Sequence, residues 1–274
     1  MSLMNKVDFA VVFRVKNANP NGDPLNGNRP RTNYDRIGEV SDVCLKRKIR
    51  NRLMEGGEEI FVQSDDNKVD DCKNLRERAE KVLDPKKPAK VNSELACKRW
   101  FDVRAFGQVF AYGGETKGAG VSIGVRGPVS VHTAFSLSPV EITSTQITKS
   151  VSGEGDGTKK GSDTMGMKHR VDHGIYAFYG SINPQLATRT GFSEQDVEKI
   201  KRVLPRLFEN DESAARPAGS MEVLKVIWWR HASPSGHCSS AKVHRSLRVA
   251  PEGELVSISF EEIKGLEPEV IDGY

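Results

Sequence analysis

The first strong pattern is an alternation of apolar and polar residues near the start of the chain. From Val7 to Val15 every second residue is Val or Phe, and a period of two puts all of them on one face of a strand. The alternation stops at NANPNGDP, residues 17–24, where Asn-Gly and two prolines favour turns and oppose a helix. The pattern predicts an opening strand followed by a tight loop.

A helical pattern follows this loop. Ser41 or Asp42 can cap a helix that runs from Val43 to about Glu55 and ends at two glycines. The apolar residues expected on its buried side are Val43, Cys44, Leu45, Ile49 and Leu53. The cations left for solvent or a ligand are Lys46, Arg47, Arg50 and Arg52.

The rest of the chain alternates between strand-like segments and a second long helix. Residues 58–99 are polar, contain a helical pattern from Leu75 to Leu83, and are predicted to form an insertion on the main core. Ser193 can cap a second helix to about Phe208. An apolar segment at 99–112 is followed by strand-like segments at 121–138, 139–151, 174–182, 221–229 and 256–260. This order predicts an α+β protein with a ferredoxin-like, RRM-like βαββαβ core.

Composition adds a local concentration of positive charge. The chain has 274 residues, 37% hydrophobic and 28% charged, which suits a globular protein of one or two domains. Its net charge of +4 is too small to indicate a nucleic-acid partner by itself. Between Arg29 and Arg52, however, eight Lys and Arg face three Asp and Glu, so this stretch is more basic than the whole chain.

Cysteine usage and hydropathy indicate the compartment. Cys44, Cys72, Cys97 and Cys238 are scattered and form no CxxC pair, as in reduced proteins, although two disulfides in a secreted protein are the alternative. No apolar run reaches the ~18 residues of a membrane span, and the N-terminus lacks a secretory apolar segment. The sequence predicts a cytoplasmic protein.

Patterns for catalysis and metal binding are weak. No G-x-S-x-G motif occurs, and the cysteine with a neighbouring histidine is Cys238, beside His237. His169 and His173 have the spacing of a zinc pair on a helix, but they lead into a strand and lack a third ligand. We therefore expect no catalytic residue, no metal and no cofactor.

The aromatic residues do not decide whether the sheet has an exposed surface on which bases could stack. The chain lacks the signature with which an ordinary RRM stacks bases on its central strands. Tyr176, Phe178 and Tyr179 suit either a core or a stacking platform. Trp228 and Trp229 are adjacent on one strand and face opposite sides, which predicts that one of them lies outside the core.

The basic stretch offers candidate contacts for a phosphate backbone. A run of helical cations is commonly no more than a solvated face, but here an Asn-rich loop with two arginines precedes it. That combination is typical of a surface that holds phosphates without reading bases. The candidates are Asn21, Arg29, Arg31, Lys46, Arg47 and Arg50. Lys117, in the Gly-rich loop 113–120, is a further candidate, although an ordinary turn explains that loop equally well.

Several segments resemble one known family. The opening strand with NANPNGDP, the segment ITSTQITK at 142–149 and the segment TMGMKHRVDHGIY at 164–176 resemble backbone subunits of type I CRISPR surveillance complexes, the Cas7 superfamily. FEND at 208–211 and ARPAGSM at 215–221 resemble its subtype I-C branch. The resemblance extends over nearly the whole chain.

The resemblance implies a fold, partners and a role. It implies a modified RRM-like palm with inserted fingers and a thumb hairpin. The corresponding ranges are 4–55, 100–140 and 170–274 for the palm, 56–99 for the fingers and 141–169 for the thumb. Copies would stack head to tail along the spacer of the CRISPR RNA (crRNA) and, with other type I-C subunits, present it to target DNA. The subunit would not be an enzyme, because a separate helicase-nuclease cuts the DNA.

The resemblance also gives roles to individual residues. It implies that Lys46, Arg47 and Arg50 contact phosphates, with Asn21, Arg29 and Arg31 as loop contacts. Lys149 and Arg170 would flank the thumb, and Lys149 stands where an arginine is expected. Ile147 and Met165 are the candidates for a residue that wedges the RNA, and segment 152–162 has no assigned counterpart.

Two other functions stay open. Backbone subunits of the related type III complexes cut RNA with a loop aspartate and a metal, and Asp23 would be that residue here. An aspartate between Gly22 and Pro24 is also a common turn residue. The other alternative is a ferredoxin-like module for a small molecule, which predicts one closed pocket and no salt-sensitive affinity for RNA.

Overall fold

The computed structural model describes residues 2–112, 121–148 and 165–274. Its strands are β1 (Val7–Ala18), β2 (Gly22–Asp23), β3 (Arg29–Pro30), β4 (Ile37–Val40), β5 (Gly107–Tyr112), β6 (Val121–Arg126), β7 (Val129–Val131), β8 (Ala134–Pro139), β9 (Ile142–Thr148), β10 (Met165–Ile182), β11 (Met221–Arg230), β12 (Leu247–Glu252), β13 (Leu255–Phe260) and β14 (Pro268–Asp272). Its helices are α1 (Asp42–Glu55), α2 (Leu75–Glu80), α3 (Ala89–Arg99), α4 (Phe101–Phe106), α5 (Pro184–Thr190), α6 (Glu194–Val203) and α7 (Ser240–Ser246). The α+β class is therefore confirmed. None of the described helices is long and apolar enough to cross a membrane.

One large sheet forms the centre of the protein. Its strand order is β14–β11–β1–β10–β8–β4, and β7 and β9 also pair with β10. Every pairing in the described part of this sheet is antiparallel. Val11 of β1 lies opposite Phe178 of β10 and Val226 of β11, so the most apolar strands occupy the middle. Along the chain, β1, α1, β8, β10, α6 and β11 follow the predicted order of strands and helices.

The first face of the sheet packs against α1 and α6. The alternating residues of β1 from Val7 to Val15 belong to this core, so the face predicted from their spacing is confirmed. Phe9 stacks on Trp228 with ring centroids 5.7 Å apart. Phe13 stacks on Tyr176 at 5.3 Å. Such offset ring pairs add to the free energy gained by burying their surface.

The opposite face of the sheet is covered by α7 and the β12–β13 hairpin. Ala10, Val12 and Trp229 lie in this second core. Trp229 meets Phe260 of β13 edge to face, with centroids 6.2 Å apart. Both sides of the central strands are thus packed by other elements of the chain.

Because both faces of the central strands are covered, the aromatic residues of these strands pack in the two cores. Trp228 and Trp229 face opposite sides, but each side has a core, so both are buried. The prediction that one of them lies outside the core is therefore wrong. Tyr176 and Phe178 are fully buried, and Tyr179 stacks on the ring of His244. The described part of the sheet exposes none of these rings as a stacking platform.

Ser41 caps helix α1, as predicted, because its side chain accepts a hydrogen bond from the N–H of Cys44. The helix ends at two glycines, also as predicted. The expected burial is confirmed for Leu45, Ile49 and Leu53. Val43 is 68% exposed because it lies one turn before Arg47 on the outward side. Arg52 is buried instead, with its guanidinium 3.6 Å from Glu209, so the prediction that left it for solvent is wrong.

Side chains between Phe61 and Val125 contribute a third core of their own. Phe61 and Trp100 approach with ring centroids 4.7 Å apart, and Phe110 of β5 lies 5.0 Å from Phe61. The β5–β6 hairpin forms a separate two-stranded sheet and packs with α2 and α3 rather than in the main sheet. The packing unit of the insertion therefore continues past residue 99.

Other boundaries differ from the sequence pattern for local reasons. Helix α2 ends at Glu80, before the predicted Leu83. Helix α6 ends at Val203, and a 3-10 turn from Leu204 to Arg206 follows, because Pro205 cannot continue the α-helical hydrogen bonds. The short elements α5, α7, β12 and β14 were not predicted.

Candidate nucleic-acid interface

The predicted contact residues that the structure describes lie on α1, on β10 and on what we call the central loop, residues 19–36. The backbone N–H of Asn19 donates to the carbonyl of Ala215, in the loop before β11, at 2.8 Å. The side-chain oxygen of Asn21 accepts hydrogen bonds from the N–H and the hydroxyl of Ser41, at 3.0 and 2.9 Å. Since Ser41 caps α1, the central loop is bonded both to this helix and to the loop before β11.

Internal hydrogen bonds hold the central loop in shape. The Asp23 carboxylate accepts from the N–H of Leu25 at 3.2 Å, and the Asp23 carbonyl accepts from the N–H of Asn28 at 2.8 Å. The amide of Asn19 donates to the Asn28 carbonyl at 2.7 Å. Gly27 and Asn28 both have φ of 58°, a left-handed conformation that Gly and Asn adopt most readily. The Asn- and Gly-rich sequence thus builds an ordered loop.

Two arginines project from this loop. Arg29 donates to the hydroxyl of Ser144 on β9 at 3.0 Å, and a ring nitrogen of His169 on β10 lies 2.8 Å from the same hydroxyl. Among the described residues no carboxylate pairs with Arg29. Arg31 lies 3.4 Å from Asp23, and its buried Nε has no hydrogen-bond partner in the described part of the chain.

The cations of α1 have unequal surroundings. Lys46 pairs with Asp42 one turn earlier at 3.0 Å, at the helix surface. The Nε of Arg50 lies 2.9 Å from Asp102, and the Arg50 side chain is 12% exposed. Its guanidinium also stacks on the Phe106 ring at 5.2 Å. The sequence left Arg50 for solvent or a ligand, whereas in the structure a carboxylate of α4 holds it against the insertion.

The Asp102 carboxylate does more than pair with Arg50. It accepts the backbone N–H groups of Phe61 and Val62 at 2.7 and 3.0 Å. Three donors from two segments therefore satisfy a side chain that is 1% exposed. The contact fastens the insertion to α1.

A second carboxylate gathers cations from α1 and from the loop before β11. Asp211 contacts Lys48, lies 3.4 Å from Arg47 and 2.9 Å from Arg216. The Lys48 side chain is fully buried and its ammonium lies 5.4 Å from the centre of the Phe208 ring. Sequence reasoning missed Arg216 as a site residue, because only the fold brings it beside Arg47.

Burial and charge compete at this cluster. Burial alone would raise the pKa of Asp211, but Lys48, Arg216 and Arg47 outweigh it and lower that pKa. Burial lowers the pKa of Lys48, and the charge of Asp211 opposes this effect. The carboxylate is therefore ionised at neutral pH and keeps its cations close.

The β9–β10 ribbon forms the other flank of the central loop. Its pairing register puts Ile147 on one face with Lys168 and Arg170, and puts Met165 on the opposite face with His169. Arg170 is 46% exposed and lies 3.5 Å from Asp172 of its own strand. Lys117, Lys149 and segment 152–162 lie outside the described residues.

A separate polar cluster lies under α7, on the second face of the sheet. The N–H of His237 donates to Nδ1 of His231 at 2.8 Å, so Nε2 of His231 carries the proton that it donates to Asp8 at 2.8 Å. Lys6 and His244 approach the same carboxylate at 3.1 and 3.6 Å. Because both ring nitrogens of His231 are engaged, the ring cannot serve as a general base.

The other chemical candidates are also engaged or dispersed. Asp23, the residue of the ribonuclease alternative, uses its carboxylate to cap the turn at Leu25 and to pair with Arg31. Within the ranges described, no three His, Cys, Asp or Glu side chains are placed to hold a metal ion. The central loop therefore presents hydrogen-bond donors and two arginines, a combination suited to binding an anion.

Comparisons with known proteins agree with one another. A family model described as "CRISPR-associated protein Cas7" matches residues 5–265. A protein of Haloferax volcanii with the same description is 26% identical over 255 residues, which cover 82% of this chain and 71% of the relative.

Two solved structures are also similar to the chain. A chain of a "CRISPR RNA-guided surveillance complex, pre-nicking" superposes with a TM-score of 0.52 at 16% identity, covering 82% of this chain and 78% of that one. This likeness shows a shared fold. A chain of a "CRISPR RNA-guided surveillance complex" gives a TM-score of 0.45 at 17% identity, with coverages of 82% and 68%.

Proposed function

This chain belongs to the Cas7 family of CRISPR-associated proteins, and from that premise we propose that it is a crRNA-binding backbone subunit of a surveillance complex. The observation that carries the proposal is the continuous interface formed by the central loop, α1 with the loop before β11, and the β9–β10 ribbon. Hydrogen bonds join these segments, and arginines project from each of them. Arginine forks suit the phosphates of an RNA backbone.

The covered sheet supports a particular mode of binding. An ordinary RRM stacks bases on aromatic residues of its exposed sheet. Here Tyr176, Phe178 and Trp229 are core residues. We therefore propose that the protein holds RNA by its phosphates at the edge of the sheet and leaves the bases free to pair with target DNA.

The fold divides into parts that suit this role. We propose an RRM-like palm over 4–55, 100–140 and 170–274, with fingers over 56–99 and a thumb over 141–169. The β5–β6 hairpin lies within the palm range 100–140, but its side chains share the core of the proposed fingers. The described part of the proposed thumb is the β9–β10 ribbon, which projects from the sheet beside the central loop.

The remaining parts of the proposal concern assembly. Copies of the chain stack head to tail along the crRNA spacer in a cytoplasmic complex with other subunits, and the segments at 208–211 and 215–221 favour subtype I-C. The chain is an RNA-binding subunit rather than a nuclease. The proposed phosphate contacts are Asn21, Arg29, Arg31, Arg47, Arg170 and Arg216, together with Lys46, Lys117 and Lys149. We assign Arg50 to support of α1.

The primary test is whether the purified protein binds single-stranded RNA through phosphates. We expect it to carry RNA from the cell, seen as excess ultraviolet absorbance that nuclease digestion removes. The logarithm of the association constant for RNA of mixed sequence should fall linearly with the logarithm of the salt concentration. The slope should be about −0.7 for each phosphate contacted. An affinity indifferent to salt would reject the proposal and favour a small-molecule module.

The ribonuclease alternative has its own test. The protein is incubated with magnesium and RNA complementary to its guide, and Asp23→Ala is compared with Asp35→Ala, an exposed aspartate of the same loop. We expect intact RNA in all samples. Cleavage by the natural protein that Asp23→Ala abolishes and Asp35→Ala retains would establish the nuclease instead.

A further inference from the structure

A carboxylate surrounded by three cations lies beside the outward side of α1. Asp211 is contacted by Lys48, Arg47 and Arg216. The Lys48 side chain is fully buried, and that of Asp211 is 9% exposed. One carboxylate balances one cation, so the cluster keeps an excess of two positive charges. Both excess charges belong to arginines that reach the surface.

The three contacts are not equivalent. Lys48 is confined to the core, where an ammonium without its carboxylate would be costly. Arg216 is 2.9 Å from Asp211 with 22% of its side chain exposed. Arg47 is 3.4 Å away with 35% exposed. The lysine is therefore the fixed partner of Asp211, and the arginines are the partners that can turn to a ligand.

The geometry fits the chemistry of phosphate recognition. A guanidinium binds carboxylate and phosphate oxygens with the same fork of N–H donors. Lys48 alone balances the charge of Asp211, so the arginines can leave it without creating an unpaired buried carboxylate. Asn19 holds the loop that carries Arg216 against the central loop, so this position is continuous with the rest of the interface.

We propose that Asp211 occupies the place of a phosphate in the free protein and yields Arg47 and Arg216 to a phosphodiester group of single-stranded RNA. Lys48 stays on the carboxylate throughout. Asp211 is then a positioning residue. It aligns Arg47 and Arg216 when no phosphate is bound between them, in what we call the seat, and it competes with the ligand for these two arginines. The identity of the ligand rests on the proposed function.

The first experiment compares two variants with the same change in net charge. Asp211→Asn removes the competing carboxylate, and Glu261→Gln removes an exposed carboxylate paired with Arg248, next to β13 on the far side of the sheet. RNA binding is measured by fluorescence anisotropy over a range of sodium chloride. Circular dichroism confirms that each variant is folded.

Only one of the two variants is expected to change RNA binding. Asp211→Asn should bind RNA about two- to fivefold more tightly at low salt, the range set by loss of one partly exposed ion pair. Its salt dependence should steepen by about 0.7 on logarithmic axes, as for one more phosphate neutralised. Glu261→Gln should change neither quantity. Equal behaviour of the two variants overturns the inference.

A second variant guards against misfolding and against a simple charge effect. Lys48→Met with Asp211→Leu replaces the buried pair by apolar side chains, which folded proteins commonly tolerate, and leaves the net charge unchanged. It should show the same gain in RNA affinity as Asp211→Asn, and an affinity at or below that of the natural protein would refute the competition by Asp211.

The ligand class is tested by exchanging chloride for inorganic phosphate at constant ionic strength. If Arg47 and Arg216 bind an RNA phosphodiester, RNA should be released at a lower concentration of phosphate than of chloride, because phosphate competes for the same guanidinium donors. Saturable binding of inorganic phosphate that leaves the RNA affinity unchanged would assign the two arginines to free phosphate and reject the RNA assignment. If the natural protein binds no RNA at any salt concentration, the proposed function fails. RNA binding that Asp211→Asn and the double variant leave unchanged rejects this inference alone.

Discussion

Arg47 and Arg50 lie one turn apart on α1, yet different carboxylates decide their roles. Arg50 is drawn to Asp102, a buried acid of α4, whereas Arg47 shares Asp211 with two other cations. Helical periodicity predicted that both positions carry charge near the surface of α1. It could not show which acids the fold brings to them, because Asp102 and Asp211 come from distant segments.

The role of Arg50 can be tested by stability. Arg50→Met leaves Asp102 buried without its cation and should lower the free energy of unfolding by about 3 kcal/mol. Lys46→Met, on the same helix but in a partly exposed pair at the helix surface, should change it by less than about 1 kcal/mol. Urea denaturation measures both. If Arg50→Met leaves stability intact and weakens RNA binding, Arg50 is a ligand contact and not a support.

The role of Arg47 can be tested by RNA affinity. Arg47→Gln should weaken binding to the same degree for RNAs of different sequence and reduce the salt dependence by about 0.7 on logarithmic axes, because one phosphate contact is lost. Arg99→Gln, which removes an equal charge from an exposed pair in the insertion, is the matched control. A loss confined to some sequences would contradict backbone recognition.

Among the elements, those with strong local signals were predictable. The alternation in β1 and the cap of α1 identified both correctly. β14 begins at a proline and carries two acids, so its sequence does not favour a strand, and pairing with β11 supplies what the local pattern lacks. α7 is a helix of seven residues, too short to show a hydrophobic period. The shape of the interface could not be predicted either, because it depends on contacts between residues far apart in the sequence, such as Arg29 with Ser144.

The β9–β10 ribbon presents different residues on its two faces, which separates the two candidates for a wedge. Met165 shares its face with His169, which is braced through Ser144 to Arg29. We therefore expect Met165→Ser to weaken RNA binding more than Ile147→Ser, whose face carries the proposed contact Arg170. Anisotropy titrations of both variants test this, and the reverse ranking would place the RNA on the other side of the ribbon.

The cluster beneath α7 should make stability depend on pH. Burial lowers the pKa of His244 against the opposing charge of Asp8, with His132 and Lys6 adding repulsion. The unfolded chain therefore takes up the proton first, so stability is complete above a pH of about 6.5 and declines as pH falls toward the lowered pKa. The Asp8 pKa is also lowered, since His231, Ser240 and Lys6 outweigh its burial, and that contribution is lost only in stronger acid, below about pH 4.

A single variant isolates the histidine. His244→Gln should flatten the fall in melting temperature between about pH 7 and pH 5, the window around the ordinary histidine pKa. The neighbouring Tyr179 ring keeps its raised pKa and does not titrate in this range. His169→Gln, on the ribbon outside the second core, is the control. Parallel curves for the natural protein and His244→Gln would contradict the assignment.

At the scale of the whole molecule, the central strands of the sheet lie between two hydrophobic cores, one on each face. The α+β class and the order of the main strands and helices could be predicted from the sequence, but the second covering layer could not. It is built from α7 and β12–β13, whose burial patterns are partial and whose local signals are weak. The covering leaves neither face of the described sheet open to a ligand, which is why we propose recognition by the loops and the ribbon at its edge.

Buried tryptophans make this architecture testable. Trp100, Trp228 and Trp229 are at most 4% exposed, so RNA binding should leave tryptophan fluorescence nearly unchanged, and iodide should quench it poorly. Tyr34→Trp, at a fully exposed turn of the central loop, provides a reporter that iodide should quench. Strong quenching of the natural protein by RNA would mean that a face of the sheet opens.

The central loop is fastened at both ends, to Ser41 and Ala215 on one side and to Ser144 on the other. Because these contacts are direct hydrogen bonds, we expect a tilt of the ribbon to move Arg29 and, through the loop, the cap of α1 and the segment that carries Arg216. We therefore expect an RNA strand bound to the proposed contacts on the ribbon to lower the free-energy cost of binding those on α1.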